Sequence, residues 1–142
     1  MPALALLGGC ARGPVLSDSA SQLRVDTRVV LTVGSARLGR PGARPQVLYD
    51  KIESCPGDHA RRVYQARFAL RPGPDSRVVL DQAADLSLDL IAARGYRLTG
   101  PPRHHTFTVT HPAPEVSMTV RLHGGPHPTM TLDADTPCLA DR

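Results

Sequence analysis

The sequence predicts an α+β fold, an antiparallel sheet of about four strands with one main helix packed on its apolar face. Three observations point there. Between Pro74 and Gly100, the residues Val79, Leu80, Ala83, Ala84, Leu86, Leu90 and Ile91 recur at helical spacing, with Asp75-Ser76 to cap the start and Gly95 to stop it. Further on, Val116, Met118, Val120 and Leu122 alternate with Ser117, Thr119, Arg121 and His123, the clearest period-two run in the chain. Many of the fourteen Pro and twelve Gly fall between such runs and mark turns.

Residues 1–10 read MPALALLGGC. The apolar run Ala3 to Leu7 is too short to span a membrane. Leu7-Gly8-Gly9-Cys10 matches the bacterial lipobox, in which small residues admit the chain to the signal peptidase and the cysteine takes a diacylglyceryl group. The basic stretch that normally opens such a signal is missing, so the expectation is a start codon further upstream. Residues 1–21 are thus expected to be a truncated lipoprotein signal and tether, and 22–142 one α+β domain with a loop-rich N-terminal part.

Gln22 to Val33 fits two periods. Val29, Leu31 and Val33 alternate as in a strand, while Leu23, Thr27, Val30 and Leu31 share one side of a helix. The Val- and Thr-rich second half tips the expectation to strand. Gly34 to Pro45 is expected to be a loop, and Gln46 to Ser54 a short helical turn ended by Pro56-Gly57. Arg62 to Leu70 is expected to be a strand with Tyr64, Ala66, Phe68 and Leu70 on one face. Arg71 to Pro74 connects it to the main helix, roughly 76–93, where Arg94 sets a cation near the negative end of the dipole. Tyr96 and Leu98 open a further strand. His105, Phe107, Val109 and His111 alternate with threonines, and Met130 and Leu132 face inward in the last strand.

The three cysteines are odd in number for an exported domain. Lipid on Cys10 resolves the count and leaves Cys55 and Cys138 as a pair, one before the first confident strand and one after the last. Their bond closes a loop of about 83 residues. The lost chain entropy of the unfolded state makes it worth roughly 3–4 kcal/mol.

With Leu7–Cys10, a helix ending in Arg94-Gly95-Tyr96, Thr-rich strands and a terminal Thr136-Pro137-Cys138, the chain resembles the small predicted lipoproteins of unknown function encoded by GC-rich actinobacteria. The similarity covers about residues 55–139 plus the lipobox. It implies a location, the outer face of the cytoplasmic membrane, and an architecture, but no reaction.

Composition narrows the partners. The formal net charge is +4, yet the arginines form only small clusters such as Arg61-Arg62 and Arg94/Arg97/Arg103, without interleaved aromatics. Nucleic acid is therefore not an expected partner. Lys51 is the single lysine and Asn is absent, a bias typical of a GC-rich genome that weakens the reading of any one arginine. The expected partners are the membrane, through a lipid on Cys10, and an envelope protein.

Five of the six histidines, His104, His105, His111, His123 and His127, lie close together in sequence near Met118 and Met130. Such side chains suit copper or zinc. The alternation, however, places the methionines in the core and His123 on the opposite face, and no His-x-His, CxxC or HExxH spacing occurs. Cys55 with His59 offers a thiol and a base, but the disulfide uses the same sulfur. Asp81, Asp85 and Asp89 form a row on the polar side of the helix and read as a solvated face. No catalytic residue and no cofactor are assigned. The expectation is a non-enzymatic envelope lipoprotein domain that binds a ligand or supports a complex. The alternative is an exported metal-binding or small hydrolytic domain.

Overall fold

The computed structural model describes residues 13–141. Helix α1 spans Leu16–Leu38, followed by β1 (Gln46–Cys55), β2 (His59–Ala69), α2 (Ser76–Ala92), β3 (Arg97–Leu98), β4 (Thr106–Pro112), β5 (Glu115–His123), β6 (Thr129–Asp135) and β7 (Leu139–Ala140). The seven strands form one antiparallel sheet in the order β1-β2-β6-β5-β4-β3, and β7 pairs with β2 beyond the end of β6. The α+β class is as expected. The strand number is not, and two helices rather than one pack on the apolar face.

Helix α1 replaces a tether, a strand and a loop of the sequence reading. The buried residues Leu16, Ser19, Leu23, Asp26, Thr27, Val30, Leu31 and Gly34 recur every three or four positions, a continuous helical stripe. Burial of that stripe overrides the strand preference of the Val- and Thr-rich segment. Residues 17–21 lie inside the helix, so the chain expected as tether supplies its first turns.

Strand β1 replaces the expected helical turn. Pro56-Gly57 is not a helix stop but part of the hairpin turn that returns the chain to β2, with Cys55 opposite His59 and Gly57 at φ +73°. Two cross-strand ion pairs hold the hairpin, Arg61 to Glu53 at 2.8 Å and Arg62 to Asp50 at 2.7 Å.

Elsewhere the expected elements stand. The Asp75 side chain accepts from the Arg77 amide and caps α2. Phe107, Val109, Val116, Met118, Val120 and Leu132 point toward the helices and are buried. The other face of the sheet is polar. There the Thr108 and Thr119 hydroxyls meet at 3.0 Å, and Gln65 donates to Asp133 at 2.7 Å.

Candidate functional site

The Cys55 and Cys138 sulfurs are bonded, with Cα atoms 6.0 Å apart. The bridge joins the end of β1 to the segment between β6 and β7. Beside it, the Thr136 hydroxyl accepts from the Arg62 amide at 2.9 Å. Cys55 is thus no free thiol for His59 to activate. Cys10 lies outside the described residues.

The five histidines are dispersed. His104 and His105 occupy the turn before β4, both at positive φ. His105 reaches back to α2, its Nε2 2.9 Å from Asp81, while Asp85 and Asp89 stay exposed. His111 lies on β4 with its Nδ1 2.7 Å from the Pro114 carbonyl and its ring 5.2 Å from that of Tyr96. His123 ends β5, and His127 sits in the exposed loop before β6. Among the described residues, no three His, Cys, Asp or Glu side chains come together in a group able to hold a metal ion.

Sequence reasoning missed the most heavily bonded polar residue, Asp26. Its carboxylate is fully buried on α1. One oxygen receives the Gln22 amide and the Tyr96 hydroxyl, each at 2.7 Å. The other receives the Arg94 guanidinium at 2.8 Å. Burial, then the bond to Asp26, raises the Tyr96 pKa far above that of an ordinary phenol. Arg94 and Tyr96 flank Gly95, which turns the chain at φ +94° and lies so close to His111 that a Cβ there would be 3.2 Å from its ring. The Arg94-Gly95-Tyr96 pattern is therefore a clamp of the α2–β3 corner onto α1. The sequence signal was a single Asp in phase with Leu23 and Val30 on a helix, visible only once α1 is read as a helix.

The candidate binding site is a cleft of about 340 Å³ between α1 and the β1–β2 hairpin. It exists because β1 projects past the helix layer. Val47 and Ile52, on the helix side of β1 by register with Ala66 and Arg62, remain 55% and 60% exposed. Leu23, Thr27, Leu31 and Tyr64 line the cleft. The Thr27 hydroxyl is turned to the Leu23 carbonyl at 2.8 Å. The Tyr64 phenol is shifted up, first by burial and then by the charge of Asp50. Arg24 and Arg28 stand one helical turn apart along the cleft, and Arg62 faces them from β2, tied to Asp50.

A second, wider cleft of about 600 Å³ opens at the start of α1. Prolines wall much of it, Asp18 and Glu115 flank it, and Ser19 lines it with a buried hydroxyl that has no hydrogen-bond partner among the described residues. It adjoins residue 13, where the described chain begins.

No protein-family model, no curated protein and no solved structure matches this chain.

Proposed function

We propose that this chain is an exported, lipid-anchored domain of the cell envelope that works by binding rather than by catalysis. The observation that carries the reading is the Cys55–Cys138 bridge. Structural disulfides persist in oxidising compartments and are rare in the cytosol. Lipid on Cys10 then accounts for the remaining cysteine, in keeping with the Leu7-Gly8-Gly9-Cys10 pattern and the resemblance to small actinobacterial lipoproteins. The polar groups that first suggested chemistry have structural partners instead: Cys55 its disulfide, His105 the Asp81 carboxylate, His111 the Pro114 carbonyl.

Anchoring at Cys10 sets the working position. The six peptide steps from Cys10 to Leu16 span at most about 20 Å, so the start of α1 stays near the outer face of the cytoplasmic membrane. The α1/β1–β2 cleft is then the face offered to an envelope ligand or protein. Expression from the complete reading frame in a native-like host, with a labelled fatty acid, tests the anchor. Label is expected on the wild-type chain in the membrane fraction and lost in Cys10→Ala. Unlabelled, soluble wild-type protein contradicts the reading.

A further inference from the structure

We propose that the α1/β1–β2 cleft binds single-chain amphiphiles that carry an anionic headgroup, such as a phosphate or carboxylate. The inference rests on the reading of this domain as a binding module and adds the ligand class.

Four features of the cleft select that chemistry. Leu23, Leu31 and Tyr64 offer an apolar lining, and the exposed Val47 carries it outward along β1. The Thr27 hydroxyl is spent on the Leu23 carbonyl, so it presents no free donor to a headgroup. Asp50 is paired with Arg62, two of whose nitrogens reach one of its carboxylate oxygens at 2.7 and 3.0 Å, so its negative charge is offset within the cleft. Arg24 and Arg28 line the same cleft, and neither makes an ion pair among the described residues.

Arg37, Arg97 and Arg103 also make no ion pair among the described residues, so it is the position of Arg24 and Arg28 along the apolar lining that bears on the ligand. Arg61, Arg62, Arg94 and Arg121 are each bound to a carboxylate. Arg24 and Arg28 make no ion pair among the described residues and stand beside an apolar lining. Two adjacent guanidiniums suit the oxygens of a phosphate or carboxylate. A volume of about 340 Å³ is at the small end of ligand clefts, which suits one alkyl chain better than a diacyl lipid.

Titration calorimetry of the full chain with decyl phosphate, below its micelle concentration, tests the inference. Decyl phosphate is expected to bind at least about tenfold more tightly than inorganic phosphate or decyltrimethylammonium. Arg24→Gln/Arg28→Gln should weaken it at least about tenfold, and Arg37→Gln, on the same helix outside the cleft, should leave it unchanged. Val47→Asp, at an exposed position, tests the apolar half independently and should also weaken binding. Equal binding of the anionic and cationic amphiphiles, or no effect of the double substitution, overturns the anion selectivity. Inorganic phosphate binding as tightly as decyl phosphate overturns the role of the chain. Binding to phosphatidylglycerol vesicles but not to dispersed decyl phosphate overturns the cleft as the site. If none of these probes binds a chain that is labelled at Cys10 and oxidised at Cys55–Cys138, the ligand class falls while the envelope reading stands.

Discussion

Tyr96 donates its phenolic hydrogen to Asp26, 2.7 Å away and seventy positions earlier in the chain. The bond ties the long first helix to the corner after the second. With Arg94 and Gln22 it satisfies a carboxylate that has no access to water. Such a network costs little when complete and much when one member is removed.

Arg94→Ala therefore leaves a buried charge short of its main cation. Breaking a buried pair costs about 3–5 kcal/mol, and the partial exposure of Arg94 brings the expected loss to about 2–3 kcal/mol. Urea unfolding measures it. Because the Asp26 carboxylate is fully buried, Asp26→Asn with Arg94→Ala, which removes the unpaired charge, should recover part of the loss. A double variant no better than the single one would show that the charge pair is not the cause.

Tyr96 also sets an alkaline limit. An unfolded tyrosine ionises near pH 10, whereas in the fold the Tyr96 pKa is raised, first by burial and then by the Asp26 bond. Below pH 10 both states keep the proton and the contribution to stability is complete. Above pH 10 the unfolded state loses it first, so stability falls by about 1.4 kcal/mol per pH unit. Tyr96→Phe removes that slope and costs about 1–3 kcal/mol at neutral pH by leaving Asp26 a donor short. Tyr64 shifts in the same direction, so a smaller slope persists in the variant. Equal slopes in both proteins would contradict the assignment.

Gly95 is expected to resist substitution. At φ +94° a side chain is strained, and its Cβ would press on His111 at 3.2 Å. Gly95→Ala should cost about 2–4 kcal/mol in thermal or urea unfolding, against about 1–2 kcal/mol for Gly42→Ala, because both carry backbone strain and only Gly95 adds the ring contact. Gly42 also has positive φ but nothing within reach of its Cβ. Equal costs at the two sites would remove the role of His111.

Much of the fold was legible where a period ran unbroken. Met118, Val120 and Leu122 in β5 are apolar at each buried step, and in α2 Leu80, Ala83 and Ile91 keep the helical period with Ser87 the one polar buried position, so the sequence places both elements within a residue or two. Helix α1 was not legible because its buried stripe includes Ser19, Asp26, Thr27 and Gly34, while Val29, Val30 and Val33 favour a strand locally. Strand β1 hid for the opposite reason. It is an edge strand that keeps Val47, Leu48 and Ile52 in solvent, so no buried face imposes an alternation. The disulfide was readable from the cysteine count. The cleft was not, since in a strand Arg24 and Arg28 would face away from Leu23, Thr27 and Leu31, and only a helical α1 brings the two sets together along one cleft.

The bridge should carry a large share of the stability. Cys55→Ser/Cys138→Ser opens a loop of 83 positions and is expected to cost about 3–4 kcal/mol, read from the urea midpoint of otherwise identical chains. A loss under about 1 kcal/mol would mean that the hydrogen bonds between Thr136 and Arg62 already fix the same ends.

The central claim is export with lipid on Cys10 and an oxidised Cys55–Cys138 pair. Intact mass of the processed protein, made in a native-like host from the complete upstream reading frame and weighed before and after reduction, tests it most directly. The account predicts a chain beginning at Cys10 with a diacylglyceryl addition, which gains the mass of two hydrogens on reduction. An unmodified Cys10 together with free thiols at Cys55 and Cys138 would contradict it.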